Sequence, residues 1–501
     1  MSDPAPPQRT VVIGTALSVR QLCHALAVVE PAPEVVGCVV PDRAAAAASP
    51  VPILGLLDDL DAALAGCEID QALVCLPLAM AAARRRAEDR LDRLGVRHRF
   101  VPTLGDQLAG RLDAKLQDAP PAVRREVEVD PASLLDRRSH PLDDTLIRDR
   151  LAGRRVMITG AGGSIGSELA RVVCRFDPAE VLLVERSENA LFEIDRELGR
   201  VFPELPRRAI LHDVTQRQRT LELCDEHRPR VIFHAAAHKH VPMMEDHPSA
   251  AVENNFMGTR AIADAADACG CERFVMISSD KAVNPSSVMG ATKRLAELYV
   301  QHLDRTSDTT LCMVRFGNVL GSACSVLPIW TRELKHGGPV SVTHRDMHRY
   351  FMTIPEAAGL VLQAGALSSG GEVFLLDMGE PIRVLDLAER LCRLHGFEPG
   401  VDVDIRITGP RPGEKLFEEL AYTGEDMIPT DHASVRVWKT TPPTPARIHQ
   451  ITHTLDRLRD PRNGDADPPH SHPWRGVGRE TVVRAIRALL PEMTTAVSAA
   501  G

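Results

Sequence analysis

The chain has no surplus of positive charge. Its 501 residues carry 59 Lys and Arg against 68 Asp and Glu, a net charge of −9. Neither nucleic acid nor an anionic membrane surface is the expected partner. Long apolar runs are missing as well. None approaches the roughly 20 residues that a membrane helix needs. The opening MSDPAPPQRT has neither the basic nor the apolar region of a signal peptide. No membrane segment is expected, and a cytoplasmic location is. A disulfide framework is also absent. The 11 cysteines are odd in number and sit in apolar runs, such as VVGCVV around Cys38 and ALVCLP around Cys75. That pattern fits reduced, buried thiols. Cys269 and Cys271 form a lone C-x-C with no second pair, which falls short of a metal ligand set.

What is present is an ordinary globular composition, 44 % hydrophobic and 25 % charged, long enough for two or three domains. Residues 9–105 alternate apolar strands (TVVIG, EVVGCVV, QALVCLP) with helical patterns, so a parallel sheet covered by helices is expected. Its glycine turn is poor. IGTALSVR has Gly14 and then no second or third glycine, so no dinucleotide is expected there. Residues 106–150 are charged and interrupted by proline, and read as a linker. A second α/β pattern fills 151–423, with strands RVMIT, EVLLVE, RAILHDV, VIFHAAA, RFVMISS and LCMVRFGNV. From 424 to 501 the composition predicts a loop-rich segment, richest in Pro, Asp and Gly at 460–473, closed by one amphipathic helix.

The strongest local signal is RVMITGAGGSIGSELAR. A strand runs into Gly160, Gly163 and Gly166 and then into a helix starting near Ser164 and Ile165. Gly160 permits the tight turn, Gly163 lets backbone approach a pyrophosphate, and Gly166 lets helix and strand pack closely. Glu185 ends the second strand, where it can accept from both ribose hydroxyls and repel a 2′-phosphate. This favours NAD over NADP, although Arg186 next door keeps NADP as the alternative. Asp213 and Val214 follow the third strand, near the adenine edge. Ala235 and Ala236 follow the fourth and leave room for a flat cofactor. His234, His238 and His240 have no carboxylate at matching spacing, so no metal is expected. His238 and Lys239 are read as substrate contacts.

The fifth strand ends in SSDKAVNPSSVMGATK, residues 278–293. A short-chain dehydrogenase would carry Tyr four residues before the Lys. This chain has Met289 and then Lys293. A thioether moves no proton at any useful pH. Either the site is dead or another group does the acid–base work, and Asp280 and Lys281 stand at the cleft mouth.

Together RRVMITGAGGSIGSELAR, FHAAAHKHVPMMED, SSDKAVNPSSVMGATKR, RFGNVLGS, RYFMTIPEA and RPGEKLFEEL resemble the polysaccharide-biosynthesis nucleotide-sugar dehydratases. More narrowly, the chain is similar to the UDP-N-acetylglucosamine 4,6-dehydratases, over about residues 9–423. The resemblance implies an α/β fold: a Rossmann-like N-terminal domain, then an extended short-chain dehydrogenase/reductase Rossmann core with a small α/β substrate-binding subdomain. It implies an NAD cofactor, a UDP-sugar substrate and a homo-oligomer with core helices pairing across a two-fold axis. Relatives usually carry membrane helices ahead of the first α/β unit, and a soluble form is expected here. In this subgroup Met commonly replaces the Tyr, which points to the configuration-retaining class. By resemblance, Ser279 binds the sugar C4 oxygen, Asp280 is the acid at the C6 oxygen and Lys281 the base at C5. Lys281 then needs a lowered pKa, for which burial and Lys293 are the expected causes. Lys293 holds the nicotinamide ribose. Asn318, Arg349, Arg411 and Glu414 are assigned to the diphosphate and uridine. One departure stands out. The family reads S-R-G-S after NVLG, and this chain has Ser322-Ala323-Cys324-Ser325. Two other readings stay open: a 4-epimerase or 5-inverting dehydratase on the same scaffold, and a non-catalytic NAD- or nucleotide-sugar-binding regulator.

Overall fold

The computed structural model describes residues 8–26, 33–41, 49–77, 80–101, 103, 131–135, 141–420, 427–438, 440–459, 474 and 476–494. Most of the expected linker at 106–150 and the stretch 460–473 lie outside them. The chain divides into two compact units, one holding residues 1–127 and a larger one built mainly from 128–333, 339–391 and 405–501.

The smaller unit contains a five-stranded parallel sheet. Its strands are β1 (Arg9–Gly14), β2 (Glu34–Val40), β3 (Ile53–Leu56), β4 (Gln71–Cys75) and β5 (Arg97–Phe100), in the order β3-β2-β1-β4-β5. β5 (RHRF) does not stand out as an apolar run, and it is an edge strand, as is the apolar β3 (ILGL). Along β1 the side chains alternate between two apolar clusters. Val11 and Ile13 pack with Leu60, Ala87 and Leu91, and Val12 packs with Val19, Cys38 and Cys75. Burial on both faces is why β1 reads as a continuous apolar run.

The larger unit contains a nine-stranded sheet. β6 (Arg155–Thr159), β7 (Glu180–Glu185), β8 (Arg207–Leu211), β9 (Val231–His234), β10 (Arg273–Ile277) and β11 (Thr310–Arg315) are parallel, in the order β8-β7-β6-β9-β10-β11. This is the Rossmann order. The run LCMVRFGNV does not stay in that sheet. It leaves at Gly317 and forms β12 (Asn318–Leu320), which pairs instead with Phe351–Thr353. A Cβ at Gly317 would lie 3.1 Å from Tyr350 Cβ, so the crossing is tight there. Val373–Leu376 continues the parallel sheet, and an antiparallel ribbon of Val435–Trp438 and Met427–Pro429 closes that edge.

The C-terminal region holds more regular structure than its composition suggests. TPPTPARIHQ runs into a helix, Pro445–Arg459, because Pro is tolerated in the first turn and Ile448, Ile451 and Leu455 form one buried face. This helix and Arg479–Leu489 share an apolar cluster with the helix Val288–Asp304, which is buried along most of its length. Arg260, on the neighbouring helix Gly258–Ala268, pairs with Asp456 at 2.8 Å. The helices Val288–Asp304 and Gly258–Ala268 are thus packed against the chain's own C-terminal helices. Among the described residues no helix is long and apolar enough to cross a membrane.

Candidate active site

β6 delivers the glycine loop to the C-terminal edge of the sheet. Gly160 has φ +69°, and a Cβ there would lie 2.7 Å from Ala236 N. A Cβ on Gly166 would lie 2.0 Å from Gly160 O, far inside contact. Only glycine leaves this turn intact. Gly163 caps the helix Ser164–Val173 with no side chain, so the first-turn N–H groups, including those of Ser164 and Ile165, are left to an anionic ligand. Glu185 is already oriented. Its Oε2 accepts from Gly162 N at 3.2 Å, and its Oε1 accepts from Arg186 N at 2.9 Å and Ser187 N at 3.0 Å. The backbone turn, the uncapped helix and the anchored acid together fit a dinucleotide. Asp213 Oδ1 accepts from Thr215 N at 3.0 Å and so shapes the turn after β8. The Val214 side chain lies in the apolar core, so only its backbone can face a cofactor.

The carboxyl end of β10 carries the residues expected to do the acid–base work. Ser279 Oγ donates to Asp280 Oδ1 at 2.9 Å. Asp280 is 1 % exposed, and its Oδ2 has no hydrogen-bond partner. A buried carboxylate oxygen left bare calls for a ligand. Lys281 Nζ lies 2.9 Å from Asp280 Oδ1, 3.2 Å from Asn318 Oδ1 and 3.6 Å from Glu418 Oε1. Three oxygens thus face the three donors of an ammonium. Burial acts to lower the Lys281 pKa, but Asp280 and then Glu418 outweigh it, and the net shift is upward. The expected lowering is therefore corrected: in this state Lys281 is held as a cation. The lowered lysine is Lys293. Burial takes it down to about 8, with Glu297 partly opposing, and its Nζ donates to Ile277 O at 2.6 Å. Met289, one turn earlier, is 4 % exposed and belongs to the apolar core.

Several polar residues face elsewhere than expected. Arg349 is buried, and its fork is occupied. It donates to His348 O at 2.7 Å, Lys415 O at 2.7 Å and Leu416 O at 3.2 Å. Its Nε sits 3.8 Å from Glu418, so it fastens the segment that carries Glu418 rather than presenting a free fork to phosphate. Arg411 and Glu414 pair with each other at 2.8 Å. His238 stands beside Arg186, with 3.4 Å between ring and guanidinium nitrogens. Burial and then Arg186 hold its pKa down. Lys239 Nζ donates to Ala323 O at 2.8 Å and Ser322 Oγ at 3.3 Å. His234 is buried between Thr159 and Thr259, at 2.7 and 2.9 Å, and burial with Lys293 nearby takes its pKa down to about 3. It is a neutral core histidine.

Two carboxylates escape the sequence reading. Glu418 lies in RPGEKLFEEL, remote in sequence from Lys281, and no spacing rule links them. Glu297 had a weaker trace, since it stands four residues after Lys293 on one helix face. Fully buried, Glu297 accepts from Ser278 Oγ at 2.6 Å and from Arg315 at 2.7 and 2.6 Å. The Arg315 guanidinium lies 4.5 Å from the Trp438 ring centroid. This ionic cluster ties β10, β11 and the Lys293 helix together beneath the site.

Comparison with known proteins agrees with this geometry. The family described as polysaccharide biosynthesis protein matches residues 156–440, and the chain belongs to that family. It is 43 % identical over 377 residues to the probable polysaccharide biosynthesis protein EpsC of Bacillus subtilis, covering 75 % of this chain. Identity and coverage are the same for the capsular polysaccharide biosynthesis protein CapD of Staphylococcus aureus. The match spans 61 % of the length of each relative. Among solved structures, Pen from Bacillus thuringiensis is similar at 30 % identity and a TM-score of 0.54, covering 59 % of this chain and 91 % of that one.

Proposed function

We propose that the protein is an NAD-dependent nucleotide-sugar 4,6-dehydratase acting on UDP-N-acetylglucosamine with retention at C5. The observation that carries this reading is the buried Asp280–Lys281 pair at the end of β10. It stands in the fold of the glycine cradle while Met289 holds the place of the usual Tyr. An enzyme that only moved hydride would need one proton-transfer group. A dehydratase needs an acid and a base together.

When bound, NAD would supply an acceptor for the hydride from sugar C4 and, once reduced, the donor that returns it to C6. The chain's residues do the rest. Lys293 orients the cofactor ribose, and Ser279 binds the C4 oxygen. Oxidation at C4 also releases the hydroxyl proton, which passes to solvent, and the resulting C4 ketone makes the C5 proton acidic. At rest Lys281 is protonated and Asp280 Oδ2 is bare. One proton shift along the 2.9 Å hydrogen bond turns the ion pair into a neutral amine and a carboxylic acid. Substrate binding excludes further water from Lys281, which disfavours its charged form. Lys281 then accepts the C5 proton, and Asp280 donates to the departing C6 oxygen. Glu418 opposes the shift by attracting the ammonium, so it tunes the pair.

The test is product analysis by NMR in D₂O with UDP-N-acetylglucosamine and the purified protein. A 4-keto-6-deoxy sugar with deuterium at C5 and unchanged configuration is expected. A galacto product would replace the reading with an epimerase. No turnover of any UDP- or dTDP-sugar would leave a binding protein.

A further inference from the structure

The segment Ser322-Ala323-Cys324-Ser325, where this chain departs from its family, has a place in the fold. It leaves β12, whose first residue Asn318 touches Lys281. Ala323 N then donates to Ser164 Oγ at 3.0 Å. Ser164 is the first residue of the helix whose N-terminus faces the glycine loop. The segment therefore lies on the part of the site suited to a pyrophosphate. Lys239 comes from the loop after β9 and holds the segment from the other side, through Ala323 O at 2.8 Å and Ser322 Oγ at 3.3 Å. A charged donor on a carbonyl is among the stronger neutral-acceptor hydrogen bonds. Cys324 follows at φ +57° and is exposed.

We propose that Lys239 is a positioning residue for the dinucleotide: it latches residues 322–324 over the phosphate cradle and slows release of the bound cofactor. The inference rests on the dinucleotide reading of the glycine loop. It also suits the proposed chemistry. A hydride taken from C4 and returned to C6 leaves the cofactor unchanged after each turnover, so nothing requires it to depart. Two of the three Lys239 donors are engaged with the segment, which favours a positioning role over a substrate contact.

Cys324 is the exposed thiol among the chain's 11 cysteines, so the latch carries its own reporter. The experiment uses the full chain. NADH is bound, then displaced with excess NAD, and release is followed by fluorescence. Lys239→Met is expected to release NADH on the order of tenfold faster than wild type, and Lys239→Arg to restore much of the retention. In wild type, bound NAD should slow maleimide labelling of Cys324, located by mass spectrometry. Lys239→Met should lose that protection. Equal release rates in wild type and Lys239→Met would overturn the latch while leaving the dinucleotide reading intact. So would Cys324 labelling that ignores NAD in wild type, a result that needs no variant to fold. Failure of wild type to bind either dinucleotide would overturn the dinucleotide reading, and the latch with it.

Discussion

The two parallel sheets of this chain share one strand order and differ in what stands at the end of the first strand. In the small sheet β3-β2-β1-β4-β5, and in the large one β8-β7-β6-β9-β10, the order reverses on either side of the first strand. Ligands of such sheets bind at that reversal. In the large sheet the place is built for backbone approach, with Gly160 and Gly166 against main-chain atoms and Glu185 bound to Gly162 N. In the small sheet Gly14 serves packing. A Cβ there would lie 2.5 Å from Cys75 Sγ and 2.7 Å from Ser18 Oγ. The same topology thus carries a glycine turn against main-chain atoms in one unit and a glycine against side chains in the other. Fold alone assigns no ligand; loop chemistry does.

The largest way to break this contrast is Gly166→Val. Its side chain would collide with Gly160 O, so loss of measurable NAD binding is expected by titration calorimetry, with the sheet's circular dichroism kept. Next come the acid–base variants. Asp280→Asn and Lys281→Ala should each lower turnover on the order of 10²-fold or more in a product assay. Near-normal turnover in both would remove the pair from the mechanism. Gly14→Ala sharpens the contrast from the other side. Overpacking costs about 1–3 kcal/mol, visible as a lower thermal midpoint, while NAD affinity stays at the wild-type value. The smallest effect concerns Lys293. Its folded pKa of about 8 lies below its ordinary 10.5, so at pH 7 its buried charge destabilises the fold. Lys293→Met should raise the thermal midpoint at pH 7. That gain should shrink as pH rises through 8, because the folded wild type sheds its proton while the unfolded chain keeps it.

Legibility followed the range of the interaction. The glycine turn, Glu185 and Ser279–Lys281 could be placed at strand ends because turn, strand and helix signals lie within a few residues of them. The helix Pro445–Arg459 was hidden by prolines at its start, although its apolar spacing was present. Arg349 looked like a phosphate fork because arginine often is one, but its partners are backbone carbonyls 66 and 67 residues away. Glu418 and the Lys239 latch join segments separated by more than 80 residues. No periodicity reports such contacts.

By itself, the sequence determined the α/β alternation, the cradle and the missing tyrosine, since each is written in consecutive residues. The tertiary structure alone decided how tightly Lys281 and Lys293 hold their protons. Lys281 meets Asp280 and Glu418 and its pKa rises, while burial outweighs Glu297 at Lys293 and its pKa falls to about 8. Both are lysines in one motif twelve residues apart. Their difference arises because a pKa answers to burial and to charges in space, and the chain brings those together only when folded.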